Sequence, residues 1–176
     1  MQVADQPDNL SMCSYDLNDR LNDEKVFQSK AYDLIHSRFV APGVKRSRWA
    51  SYIRDMRVLL RPGGWAQIAE YQLHIQSDNG QLTDQSAVYR WWHGYSSSMG
   101  TSNREPRIGP RLQQLMDAER LRDTQTEYIR LPVGGWHPGA FKVSCRDTQN
   151  PRPRVLPKQI YALLTMFRSD AGKYRP

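Results

Sequence analysis

The stretch from Tyr32 to Tyr71, YDLIHSRFVAPGVKRSRWASYIRDMRVLLRPGGWAQIAEY, limits the possible folds more than any other part of the chain. AYDLIHSRF at 31–39 is apolar at Tyr32, Leu34, Ile35 and Phe39, the pattern of a strand covered on both faces. Pro42 and Gly43 stop it. Trp49, Tyr52, Ile53, Met56, Leu59 and Leu60 then recur at helical spacing, with Ser47 placed to cap the first turn. Arg48, Arg54, Asp55 and Arg57 fall mainly on the opposite, polar face. Arg61-Pro62-Gly63-Gly64 ends the helix, because glycine takes the left-handed conformation at a helix end and proline blocks continuation. WAQIAEYQL at 65–73 is the second strand. Two parallel strands joined by a crossover helix form a βαβ unit, and such units place their chemistry at the carboxyl ends of the strands. His36, Ser37 and Arg38 lie at or just beyond the first such end, and Glu70 lies near the second.

On either side the pattern weakens. Residues 1–14 are polar and aperiodic and read as a disordered segment, and YDLNDRLNDEKVFQSK at 15–30 reads as a loop with a short helical turn. After a turn at 77–80, Val88, Tyr89, Trp91, Trp92 and Tyr95 mark a helix with an aromatic side, followed by a small-residue loop, SSSMGTSN. Arg104-Glu105-Pro106 suits a helix start, with Ile108, Leu112, Leu115, Met116 and Leu121 on its apolar side. TEYIRLPVG at 126–134 is a third strand, ended by Gly134-Gly135-Trp136-His137-Pro138. Residues 139–176 form an atypical, partly disordered basic tail in which IYALLTMF at 160–167 is a short helix or strand with no evident place to pack.

Composition narrows the class. The chain has one domain's length, and none of its apolar runs approaches the roughly 20 residues that cross a bilayer. The N-terminus lacks the basic lead and apolar core of a secretory signal, so the expected place is the cytoplasm, or the nucleus. A net charge of +7 invites a nucleic-acid partner, but the basic residues are scattered and no nucleic-acid-binding module organises them. Cys13 and Cys145 have neither metal-ligand nor redox-motif spacing, and no His/Cys/Asp/Glu set has the spacing of a metal site.

YDLIHSRF, a helix ending LLRPGGW, the strand through Glu70 and later LPVGGWHP together resemble the back half of a class I S-adenosylmethionine-dependent methyltransferase. The resemblance covers roughly residues 15–138 and points to the fungal group of secondary-metabolism regulators and tailoring methyltransferases. It implies an α/β fold with a mostly parallel, Rossmann-like sheet and helices on both faces. It also implies S-adenosyl-L-methionine as cofactor and a small-molecule methyl acceptor. The family's glycine-rich cofactor turn has no counterpart before Tyr32, so the expectation is a partial domain whose N-terminal strands are missing. That leaves the 31–39 strand as an apolar edge, to be covered by a protein partner or a second copy if aggregation is to be avoided. A non-catalytic, regulatory interaction protein is the alternative function.

Within that resemblance, Asp16 in YDLND matches the loop on the adenine side of the cofactor. His36 is the candidate base or substrate orienter, and a histidine that merely satisfies a strand end is the plainer reading. Arg38 can hold an acidic substrate group or make an ordinary ion pair. Glu70 can face the pocket or the solvent. Trp91, Trp92 and Tyr95 can roof a flat acceptor, or simply pack their helix onto the domain.

Overall fold

A computed structural model describes residues 7–77, 82–133 and 158–168. In chain order the elements are β1 (Tyr32–Arg38), a 3-10 turn (Arg46–Arg48), α1 (Trp49–Leu59), β2 (Leu60–Ser77), α2 (Ala87–Thr101), α3 (Gly109–Ala118), β3 (Arg122–Val133) and β4 (Lys158–Arg168). They build an α/β fold around a four-stranded sheet of order β1-β2-β4-β3. The βαβ unit forms as the sequence suggests: β1 and β2 are parallel, with Ile35 opposite Ala66, Ser37 opposite Ile68 and Arg38 opposite Ala69.

The helical apolar stripe decides where the core sits. Trp49, Tyr52, Ile53, Met56 and Leu59 of α1 are buried together with Ile108, Leu112 and Met116 around α3 and with Ala66 and Ile68 of β2. Tyr52 reaches β1 directly, donating its hydroxyl to Ser37 Oγ at 3.2 Å. The α1 and α3 layer is further joined at its rim, where Arg54 grips Glu119 through both carboxylate oxygens, at 2.8 and 3.0 Å. Alternation along β1 then sends Leu34, His36 and Arg38 to the other face, where they are exposed.

Several sequence expectations are corrected. β1 is not covered on both faces: Leu34 is 55% exposed, because β1 is an edge strand and its second face carries no helix among those that build the core. Ser47 does not cap α1; the helix follows the 3-10 turn, and Arg48 is the residue at its N-cap, without a side-chain cap bond. Arg48 and Asp55 are not on a polar face. Both are buried, paired at 2.6 Å, and Arg48 also donates to the carbonyls of Leu17 and Asp19 while Asp55 accepts from the Leu21 amide. This network, which spacing alone cannot reveal, ties the 17–21 segment to α1.

The Arg61-Pro62-Gly63-Gly64 run lies inside β2 rather than between elements, and the register against β1 shifts between Tyr32 and Leu34. Gly63 has φ 77°, and a Cβ on Gly64 would stand 2.9 Å from the Tyr32 carbonyl oxygen, so both glycines are required where β2 bends past β1. The serine-rich stretch is helical: α2 continues to Thr101, capped at its start by Ser86, whose hydroxyl accepts from the Tyr89 amide. The third helix starts at Gly109, with Pro110 rather than Pro106 in its first turn. The largest correction concerns 160–167. It is a strand, β4, inserted between β2 and β3 and antiparallel to both. The sheet therefore has one parallel pair and two antiparallel pairs. The Gly134–Pro138 turn, with His137, and Cys145 lie outside the described residues.

Candidate functional site

His36 and Arg38 of β1 and Glu70 of β2 lie toward the carboxyl end of the parallel pair, whose local structure follows from β2. The Phe39 amide continues the ladder by donating to Ala69 O at 2.9 Å, after which the chain turns away through Phe39, itself in a left-handed conformation at φ 53°. Ala66, Ile68 and Glu70 alternate onto the core face of β2, so Glu70 projects inward just past the last residue pair of the two strands. It is 1% exposed and accepts from the amides of Val40 at 2.7 Å and Ala41 at 3.3 Å. Burial pushes its carboxyl up to about 7, against the two amides, which favour the charged form. Tyr52 lies close by, its phenol raised by burial, with Glu70 adding to the rise and the Ser37 bond opposing it.

On the open face, His36 Nδ1 is 2.8 Å from Gln67 Oε1 of β2. An amide oxygen only accepts, so Nδ1 carries the proton and Nε2 is left as the basic nitrogen of an exposed ring. Arg38 stands next along the same face, its guanidinium carbon 4.9 Å from the centroid of the Phe39 ring. Phe39 in turn stacks on Tyr71, with centroids 3.9 Å apart and ring planes 3° from parallel.

Asp16 lies in the N-terminal segment that is bonded to the loop after β1. It accepts from the backbone and side chain of Asn18, at 2.9 and 2.8 Å. Asn18 is in turn fixed to the loop after β1: its amide nitrogen donates to Gly43 O at 3.0 Å, and its oxygen accepts from Lys45 N at 2.8 Å. The Asn18 amide, more than the nearby Lys45 and Arg104, holds the Asp16 carboxyl below its usual range, so it stays ionised.

The aromatic residues of α2 divide into two sets. Trp91, 55% exposed, stacks on Tyr95 at 5.7 Å. Trp92 instead meets His74 of β2 edge to face at 5.7 Å, and Tyr89 at 5.6 Å. Burial, then Arg107, lowers the His74 pKa and keeps that ring neutral. His36 and Arg38 thus stand on the open face at the end of β1, Glu70 is buried on the core face behind it, and Asp16 is held through Asn18 beside Gly43 and Lys45, while α2 meets β2 through Trp92 and His74. Of the partners of these residues, Ser37, Phe39 and Tyr52 stand out in the sequence only as strand-end or apolar positions, and Gln67, Asn18 and Tyr71 give no sign of their bonding, because each acts by position in the ladder or loop. Arg46 and Arg111 both pair with Glu105, at 3.3 and 3.2 Å, and Arg104 donates to Pro42 O. Those arginines tie the loop after α2 to the loop after β1. Among the described residues no three His, Cys, Asp or Glu side chains could hold one metal ion.

Comparison with known proteins finds methyltransferases. Methyltransferase pytC of Aspergillus terreus is 30% identical over 105 residues, which are 60% of this chain and 32% of that protein. Methyltransferase cpsF of Aspergillus campestris is 23% identical over 124 residues, 70% of this chain and 43% of that protein. Over these stretches the chain is similar to fungal methyltransferases. It spans about a third to two fifths of the length of these two relatives. No family model matches it. Among solved structures, YcgJ protein of Bacillus subtilis overlaps 83% of this chain and 67% of its own at 16% identity, with a TM-score of 0.48. Phosphoethanolamine N-methyltransferase 2 of Haemonchus contortus, solved with S-adenosyl-L-methionine, overlaps 58% of this chain and 20% of its own at 16% identity, with a TM-score of 0.42. No helix among the described residues is long and apolar enough to cross a membrane.

Proposed function

We propose that this chain supplies the acceptor side of an S-adenosylmethionine-dependent methyltransferase site, acting on a small molecule of secondary metabolism in the cytoplasm or nucleus. The observation that carries the reading is His36: an exposed imidazole at the carboxyl edge of a parallel strand pair, its tautomer fixed by Gln67 so that Nε2 can accept a proton. When bound, the cofactor supplies an electrophilic methyl group for an oxygen, nitrogen or carbon nucleophile. His36 would take the proton of a hydroxyl or amine, or orient it, and Arg38 would hold an acidic substituent of the acceptor. Asp16, ionised and held by Asn18 beside the loop after β1, fits the adenine side of the cofactor, where its oxygens accept hydrogen bonds. Glu70, buried against the Val40 and Ala41 amides, would support the acceptor side from behind rather than touch the acceptor, and Trp91, Trp92 and Tyr95 would offer flat apolar surface for it. Residues 15–138 form the methyltransferase-like unit, preceded by 1–14 and joined in its sheet by β4 of the 139–176 segment.

The edge of β1 supports a second reading. β1 pairs only with β2 among the described strands, and beside it lies an apolar groove of about 230 Å³, lined by Leu17, Tyr32, Leu34, Ile35, Tyr52 and Met56 among others. A strand from a protein partner or a second copy can pair with that edge and fill the groove, and in that case the chain acts as a regulatory interaction protein. Isothermal titration with S-adenosyl-L-methionine separates the two: saturable heat supports the methyltransferase reading, and none at millimolar ligand leaves the interaction reading.

A further inference from the structure

Phe39 adopts a conformation that is unfavourable for a residue with a side chain, φ 53°, at the point where β1 gives way to the loop after it. Such strain persists only where the surroundings determine the backbone, and it tends to gather at functional positions. Here three consecutive residues of β2 each hold one part of the turn. Ala69 O accepts the Phe39 amide at 2.9 Å. The Glu70 carboxylate accepts the next two amides, those of Val40 and Ala41. The Tyr71 ring stacks on the Phe39 ring at 3.9 Å. The Arg38 guanidinium rests on the other participant in that stack, 4.9 Å from the Phe39 ring centroid.

We propose that Glu70 is a positioning residue: by accepting the Val40 and Ala41 amides it locks the left-handed turn at Phe39 and so fixes the direction in which Arg38 is presented. The inference rests on reading the β1 edge as the acceptor side and adds a specific route by which a buried residue sets the geometry of an exposed one. Glu70 itself touches no ligand in this role, since both its oxygens are committed to the backbone and its side chain is shut off from solvent.

Among the described residues, the groups around Glu70 bring no charge that competes with the two amides for its carboxylate. From α1 comes the Tyr52 phenol, already bonded to Ser37 Oγ, and from β1 comes Ser37. The turn at 39–41 has no titratable side chain, and the residue opposite Glu70 on β4 is Leu163. Among the described residues no cation contributes to its titration. Protonating the carboxyl near neutral pH therefore weakens the hold on Val40 and Ala41 with no other charge taking over.

The test is a pH series of amide spectra by nuclear magnetic resonance on the full chain, wild type and Glu70→Gln. The wild-type amide protons of Val40 and Ala41 should move together with one midpoint between pH 5 and 8.5. Glu70→Gln should abolish that titration and shift the Arg38 Nε and the Phe39 and Tyr71 ring resonances, while the Ile53 methyl resonances stay in place. Ser37→Ala, which removes the neighbouring hydroxyl, should leave the turn as it is. If the two wild-type amides do not titrate, or if Arg38 and the rings are unmoved in Glu70→Gln, the proposal is overturned. Should Glu70→Gln fail to fold, the wild-type titration decides alone. Neither cofactor nor methyl transfer enters the readout, so failure here is distinct from failure of the methyltransferase reading.

Discussion

Replacing Asp55 with alanine removes the one carboxylate among the described residues that pairs with Arg48 inside the fold. Arg48 is 7% exposed, and its guanidinium also donates to Leu17 O at 3.1 Å, Asp19 O at 2.6 Å and Ser51 Oγ at 2.7 Å. Those neutral acceptors do not balance its charge, and the Leu21 amide, which donates to Asp55 at 3.1 Å, loses its acceptor as well. Breaking a buried pair from one side typically costs ~3–5 kcal/mol, against a whole-domain stability of ~5–15 kcal/mol. Asp55→Ala should therefore lower the urea midpoint of unfolding steeply, read by the fluorescence of the buried Trp49 next to Arg48. Arg48→Met with Asp55→Leu removes both charges and should cost less than Asp55→Ala alone, although Leu17, Asp19 and Leu21 lose their partners. An Asp55→Ala midpoint that corresponds to a loss below about 1 kcal/mol would refute the reasoning, because it would mean the pair is solvated rather than enclosed.

Three further outcomes are expected. Gly64→Ala should cost ~1–3 kcal/mol in the same unfolding assay, since its new methyl meets the backbone carbonyls of Tyr32 and Asp33 at 2.9 and 3.2 Å, which a rotamer change cannot relieve. Glu70, raised from 4.5 to about 7, binds its proton more tightly folded than unfolded; its contribution is whole below pH 4.5 and is lost as pH rises to about 7. The stability curve of the wild type should accordingly fall by up to about 3 kcal/mol across that window and flatten in Glu70→Gln. Leu34→Lys, at the exposed edge, should reduce concentration-dependent association in sedimentation or light scattering. Unchanged association would exclude the β1 edge as the contact.

Much of the βαβ unit was legible because it rests on local rules. The α1 stripe is periodic, the strand before it is dense in apolar residues, and Gly63 and Gly64 mark a required bend. What escaped depends on distant partners. Arg48 and Asp55 look like surface charges until the 17–21 segment folds over them, and IYALLTMF finds its place only because β2 and β3 leave a gap between them. At the site, His36 and Glu70 were visible from their strand-end positions, yet their roles come from Gln67 and from the Val40 and Ala41 amides, residues whose types carry no chemical signature.

The amide spectrum of the chain with and without S-adenosyl-L-methionine tests the account most directly. Saturable shifts concentrated at Asp16–Asn18 and Ser37–Phe39 are the predicted result. A spectrum unchanged at millimolar cofactor, or shifts confined to α2 and α3, would contradict the placement of the cofactor and acceptor at the carboxyl edge of β1.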